Sequence, residues 1–277
     1  MIDLHTHSAA SDGTLTPEQL VYHAKENGLH AIALTDHDTT DGIYEAQAAA
    51  KKCGITLIPG VELSVKAETE MHIVGLDVDP SCAALQETLQ IMRRTRAERS
   101  EETARKLQEL GFPVTAEQAA AIATGGNVGR AHYARLLYEG GYVESVEEAF
   151  AKYLNSGCPA YSNRQSLTPQ EGISLIRQAG GIPVIAHLHL TELKGETLRQ
   201  TLIALRDAGL AAIEGYYSDY TPEMQQEYLA LARELGLGVS GGSDFHGATK
   251  PHIAIGRGRG NLCIPDSVWE ELQTYRW

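Results

Sequence analysis

Residues 31–38 read AIALTDHD, an unbroken apolar run that stops at two acids flanking an imidazole. A strand that is apolar at every position is buried on both faces, the habit of parallel sheets. The same design recurs along the chain: LIPGV (57–61) delivers Glu62, IPVIA (182–186) delivers His187, AAI (211–213) delivers Glu214, and VSGGS (239–243) delivers Asp244, with His246 two residues on. Between these runs lie amphipathic stretches. Three of them open on Thr16-Pro17, Thr168-Pro169 and Thr221-Pro222, each a Thr N-cap with Pro at the first helical position. Strand and helix in alternation predict an α/β fold whose parallel sheet is either covered on both sides or closed into a barrel. In a barrel, groups at the C-terminal ends of strands converge on one mouth.

Working outward, the beat changes between 83 and 165. That region reads as helical throughout, with a long segment over 83–110 and shorter ones near 115–123, 130–139 and 145–154, the last with Ser145 and Glu148 spaced as a capping box. The expectation is a barrel built from 1–82 and 166–277, interrupted by an inserted helical subdomain over 83–165. Residues 93–106 gather Arg93, Arg94, Arg96, Arg99, Arg105 and Lys106 against Glu98, Glu101 and Glu102. A mixed charge run on a helix is usually a solvated face.

The first residues, MIDLHTHSAASDG, supply a further pair of imidazoles. On a short strand His5 and His7 share one face, while Leu4 and Thr6 take the other. Counting these with the strand-end groups, and with His72 in MHIVG, gives His5, His7, Asp12, His37, Glu62, His72, His187, Asp244 and His246 as candidate metal ligands. One tetrahedral ion would use only four, so two or three ions sharing a bridging carboxylate is the natural reading. Mixed nitrogen and oxygen donors without thiolate suit Mn, Zn or Fe alike; the expected ion is Mn, with Zn, Fe or Mg as alternatives. His189 shares a face with His187 and competes for its role. His23, His30 and His252 are left out, and His132 is read as a substrate contact.

Composition narrows the function. A net charge of −13 over 277 residues argues against a broad nucleic-acid surface, because binding by counterion release needs clustered Lys and Arg. A small anionic substrate remains compatible, since bound cations and a few arginines could hold it. The four cysteines are scattered, without a C-x-x-C pair, and read as reduced packing residues. With no apolar run of 18 residues and no secretory leader pattern, the expectation is a cytoplasmic protein with no membrane and no obligate protein partner.

Taken together, DLHTHSAASDG, ALTDHDTTDG, PGVELS, MHIVGLD, VIAH and GSDFHG resemble the polymerase-and-histidinol-phosphatase (PHP) family of metal-dependent phosphoesterases. The resemblance implies a distorted TIM-like (β/α)7 barrel with a metal centre at its C-terminal mouth. By the family pattern His5, His7, Glu62 and Asp244 would hold one ion. Glu62 would bridge to a second, bound also by His72 and His187, while Asp12, His37 and His246 would hold a third. Leu188 stands where the family commonly has Pro.

Within the family, GGNVGRAHYARLL and YLNSGCPAYSNRQSLTPQEGI resemble the subgroup that removes the 3′-phosphate from nucleoside 3′,5′-bisphosphates, some members of which trim RNA from its 5′ end. The resemblance implies that the helical insertion caps the substrate, with Arg130, His132 and Arg164 as phosphate contacts. The expected reaction is attack on phosphorus by a metal-bridging hydroxide, with His37 or Asp36 protonating the departing ribose oxygen. A 5′–3′ exoribonuclease on short RNA, a histidinol-phosphate phosphatase and a non-catalytic metal-stabilised domain are the competing readings.

Overall fold

The computed structural model describes residues 1–123, 128–162 and 166–276. It divides into two compact units, Met1–Thr88 with Ser166–Trp277, and Leu89–Gln165. The first unit holds one seven-stranded sheet in sequential order: β1 (Ile2–Thr6), β2 (Ala31–Leu34), β3 (Thr56–Ser64), β4 (His72–Leu76), β5 (Ile182–Ile185), β6 (Ala212–Tyr217) and β7 (Gly238–Gly242). The two ends of the sheet meet, because Asp244 N donates to His5 O and His7 N to Phe245 O, both at 2.9 Å. The result is a nearly closed barrel of α/β type.

One strand departs from the all-parallel expectation. β4 runs antiparallel to both β3 and β5. The cause is the connection: 65–71 is too short to carry a crossover helix, and two strands joined that closely can pair only as a hairpin. The reversal has a functional consequence. It is the first residue of β4, His72, that comes to the end of the barrel where the other strands finish.

Helices pack outside the strands: α1 (Pro17–Glu26), α2 (Ile43–Cys53), then, beyond the second unit, α7 (Pro169–Gln178), α8 (Gly195–Asp207), α9 (Pro222–Leu235) and α10 (Ser267–Leu272). Thr16, Thr168 and Thr221 each accept a hydrogen bond from the backbone N–H three residues on, which secures the starts of α1, α7 and α9. Ile2, Leu4, Ala33, Ile58, Val74, Val184 and Ala212 form one buried cluster of the strands, closed by Leu262, Ile264 and Leu272. Leu20, Val21, Ile32, Ile43 and Phe245 form a second between strands and helices. The β1–β2 register shifts between Asp3 and Thr6, so strict alternation breaks where β1 passes from packing residues to the imidazoles of His5 and His7.

The second unit is helical: α3 (Ala83–Glu109) from Leu89 onward, α4 (Ala116–Ile122), α5 (Arg130–Glu139) and α6 (Val146–Ala149), which runs into a π-helical turn, Phe150–Leu154. Its core gathers Leu107, Val114, Ala119, Tyr133, Leu137 and Leu154. The expected capping box at Ser145 forms only by half. Ser145 accepts from Glu148 N at 3.1 Å, but the Glu148 carboxylate accepts from Glu144 N one residue earlier. Along α3, Arg94 pairs with Glu98 and Arg105 with Glu102 and Glu109, so much of the basic character of 93–106 is neutralised in place. No helix among the described residues is long and apolar enough to cross a membrane.

Candidate metal centre

The sheet brings the strand ends together and the turns after them aim the side chains. After β2 the Asp36-His37-Asp38 turn is stitched to β3 by Glu62 N to Asp36 O at 3.2 Å and Asp38 N to Glu62 O at 2.9 Å, which sets His37 beside Glu62. Asp38, His187 and Asp244 all adopt positive φ, at 51°, 27° and 57°. Backbone strain of this kind persists only where surrounding bonds enforce it, and three of the five such non-glycine residues among the described residues are these. Gly242 permits the closure next to His5, since a Cβ there would lie 2.1 Å from His5 Cβ.

Glu62 is fully buried and both its oxygens are crowded by imidazoles. Oε1 lies 2.9 Å from His72 Nδ1 and 2.9 Å from His187 Nε2. Oε2 lies 3.1 Å from His5 Nε2, 3.1 Å from His7 Nε2 and 3.2 Å from His37 Nδ1. Asp244 Oδ1 lies 3.3 Å from His7 Nε2 and 3.7 Å from His5 Nε2. Asp12 meets His246 Nε2 at 3.3 Å, His7 Nδ1 at 3.5 Å and His37 Nε2 at 3.7 Å. The donor atoms fall into three overlapping groups: His5, His7, Glu62 and Asp244; His7, Asp12, His37 and His246; and His37, Glu62 and His72. His187 joins the last through Glu62 and through His72 Nδ1, 3.3 Å away.

The donor set fits divalent cations. Both ring nitrogens of His7 and Nδ1 of His37 are buried with no hydrogen-bond partner, although carboxylates stand within ion-pair range. Such atoms are costly unless something else satisfies them. Charge argues the same way. Burial alone would drive the His5, His7 and His72 imidazoles down, yet the carboxylates override it: His5 rises well above its ordinary value through Glu62 and Glu214, His7 rises to about 10 beside Asp244 and Glu62, and His72 rises through Glu62. Burial opposes the ionised forms of Glu62 and Asp244, but neighbouring imidazoles hold both well below the carboxylate range. The cluster therefore calls for positive charge, which protons supply when ions do not.

Residues 3–275 match the PHP domain. The chain belongs to the PHP family. Across 98% of both chains it is 38% identical to a 5′-3′ exoribonuclease of Haemophilus influenzae. It is 33% identical to a 3′,5′-nucleoside bisphosphate phosphatase of Chromobacterium violaceum, over 98% of this chain and 96% of that one. A solved structure described as an amidohydrolase from the same Chromobacterium, with bound sulfate and no metal, superposes with a TM-score of 0.81 at 33% identity, covering 100% of this chain and 97% of the other. A solved structure described as a putative metal-dependent phosphoesterase, from Bifidobacterium adolescentis, superposes with a TM-score of 0.79 at 30% identity, covering 100% and 96%. The protein is thus a PHP phosphoester hydrolase that depends on metal.

Around this PHP centre the remaining candidates separate. His187, not His189, meets Glu62; His189 packs its ring 5.3 Å from that of Tyr217 and 5.5 Å from that of Tyr220. Leu188, where the resemblance implied Pro, donates its N–H to Tyr220 Oη at 2.8 Å, a bond no proline could make. Asp36, the alternative to His37 as candidate acid, is tied into the neighbouring loop. Its buried carboxylate accepts from Ser8 N (2.8 Å), Ser8 Oγ (2.7 Å) and Ser11 Oγ (2.5 Å), bracing the loop that carries Asp12. In the helical unit Arg130 donates to Leu154 O at 3.2 Å with its guanidinium near the rings of Phe150 and Tyr161, and His132 Nδ1 accepts from Gly129 N at 3.0 Å. Arg164 lies outside the described residues.

Three residues at the centre stand outside the candidate set drawn from the sequence. Glu214 Oε1 meets His5 Nδ1 at 3.0 Å; it is visible as a strand-end acid but has no histidine motif around it. Tyr217 Oη and Lys250 Nζ both donate to Asp244 Oδ2, at 2.9 and 2.5 Å, leaving Oδ1 for the imidazoles. Neither carries a local signal: Tyr217 reaches Asp244 through the pairing of β6 with β7, and Lys250 through the fold of the loop that follows β7.

Proposed function

We propose that this PHP enzyme removes the 3′-phosphate from nucleoside 3′,5′-bisphosphates, giving the 5′-monophosphate and phosphate. The observation that carries the reading is Glu62, one carboxylate with five imidazoles within 3.2 Å of its two oxygens. That arrangement suits a bridging ligand of a two- or three-ion phosphoesterase centre, with Mn as the ion of first choice. Divalent ions held by these residues would supply Lewis acidity, which would offset the charge of the phosphoester dianion and make a water nucleophilic near neutral pH.

The side chains have separable tasks. His5, His7 and Asp244 hold one position, His72 and His187 a second, and Asp12, His37 and His246 a third, with Glu62 shared. His37 is placed among the ligands because its Nδ1 stands 3.2 Å from Glu62 and its Nε2 3.7 Å from Asp12. Arg130 and His132 are assigned to the phosphate that is not cleaved, and the helical unit to covering the substrate; the family resemblance of GGNVGRAHYARLL supports both assignments.

A second reading is favoured by the relatives at 37–38% identity named 5′-3′ exoribonuclease, from Haemophilus influenzae and Escherichia coli. A 3′-phosphate and a chain continuing from the 3′ oxygen offer the same phosphorus–oxygen bond to the same centre. The charge of −13 and the paired arginines of α3 favour the smaller substrate. The test is a Mn-supplemented comparison of adenosine 3′,5′-bisphosphate, 5′-AMP, histidinol phosphate and a 5′-phosphorylated RNA pentamer. The bisphosphate should give the highest kcat/KM. A higher value for the pentamer, with steep salt dependence, would replace this reading with the exoribonuclease.

A further inference from the structure

We propose that Glu214 is a positioning residue that selects the ligand atom of His5 and at the same time anchors the backbone of His187, so that one carboxylate outside the ligand set sets two ion positions together. The inference rests on the metal-centre reading above. Glu214 is on β6, between the strands that end at His187 and Asp244, and it is 2% exposed. Its oxygens divide their work. Oε1 lies 3.0 Å from His5 Nδ1, and Oε2 accepts the backbone N–H of His187 at 2.6 Å.

The first contact settles a tautomer. A carboxylate can only accept, so His5 Nδ1 must carry a proton, and the lone pair is left on Nε2. Nε2 is the nitrogen that stands 3.1 Å from Glu62 and 3.7 Å from Asp244. The second contact holds a strained turn. His187 has φ of 27°, outside the regions an L-residue ordinarily occupies, and its ring reaches Glu62 Oε1 only because the backbone is kept there. Tyr220 reinforces the brace by accepting from Leu188 N at 2.8 Å while donating to Glu214 O at 3.2 Å.

Chemistry explains why the residue must be an acid. Both partners present N–H groups, so the side chain needs two acceptors and no donor. Glutamine is nearly the same size but offers one oxygen and one NH2, and one N–H would be left facing another donor. Hydrogen-bond partners of ligating histidines typically govern metal affinity by about 10- to 100-fold.

The test is a titration of the full-length Glu214→Gln protein with Mn(II), read as free Mn(II) by electron paramagnetic resonance, beside the wild type. The expected result is Mn(II) binding about 10- to 100-fold weaker than wild type. An isotherm within twofold of wild type overturns the proposal while leaving the metal centre standing. A wild type that binds no Mn(II) overturns both. Nitrogen-15 spectra of the Zn(II)-loaded wild type give a readout that does not depend on the variant folding. They should show His5 with a protonated Nδ1 and a metal-bound Nε2; metal on Nδ1 overturns the proposal.

Discussion

Stripping the ions from this centre should make stability fall as pH rises from 7 to 9. In the metal-free protein the cations of the cluster are protons. Burial works against a charged His7, but the carboxylates of Asp244 and Glu62 outweigh it and raise the imidazole from 6.5 to about 10. A histidine whose folded pKa exceeds its unfolded one adds stability that is complete below the unfolded value and is lost as pH climbs through the folded value. Each unit in that window is worth about 1.4 kcal/mol, so two units remove about 3 kcal/mol through His7 alone. For a chain of this size 1 kcal/mol moves the melting midpoint by about 2 °C, giving a fall of roughly 5 °C. The raised pKa values of His5 and His72 act in the same direction. Scanning calorimetry at pH 7, 8 and 9 would compare chelator-treated with Mn-saturated protein. Bound ions require neutral imidazoles, so the loaded protein escapes this loss and the gap between the midpoints should widen by roughly 5 °C. Parallel pH slopes in the two preparations, or a chelated protein that melts higher at pH 9 than at pH 7, would refute the reasoning.

Three substitutions probe other parts of the account. Arg130→Ala should cut the kcat/KM ratio of a 3′,5′-bisphosphate over the matching 3′-monophosphate by about 10- to 100-fold, the loss of a charged hydrogen bond of about 1.5–3 kcal/mol; an unchanged ratio rejects the phosphate anchor. Asp36→Asn replaces an acceptor that serves Ser8 and Ser11 with an NH2, so stability should drop by about 1–3 kcal/mol while Mn-loaded kcat stays within about tenfold. A thousandfold loss of kcat with unchanged melting would instead return Asp36 to proton transfer. Gly242→Ala places a methyl 2.1 Å from His5 Cβ, and the forced shift of β1 should lower both melting temperature and Mn content. A variant with wild-type metal stoichiometry would show that the closure between β1 and β7 is not what positions His5.

Much of the architecture was legible because it depends on local rules. Apolar runs ending in acids and imidazoles marked the strands and the mouth, and Thr-Pro pairs marked three helix starts, where capping and fixed φ act within four residues. The direction of β4 was missed because strand periodicity says nothing about polarity; the information lay in the short 65–71 link. Asp36 and His37 are adjacent, and nothing in the triplet says which one faces Glu62. That choice is made by the pairing of the turn with β3. Glu214, Tyr217 and Lys250 belong to a further class: the Glu214–His5 contact spans 209 residues and forms only when the sheet closes, Tyr217 meets Asp244 across the β6–β7 pairing, and Lys250 meets it through a loop six residues long that no motif marks. Hydrogen-bond partners of ligands carry no motif of their own.

The central claim is that imidazoles and carboxylates from both ends of the chain hold several ions around Glu62. Elemental analysis of protein purified from Mn-supplemented medium, paired with assay of phosphatase activity before and after chelation and Mn return, tests it directly. More than one transition metal per chain, with activity lost on chelation and restored by Mn, is the predicted result. Less than one metal per chain, with no activity restored by Mn, would contradict it.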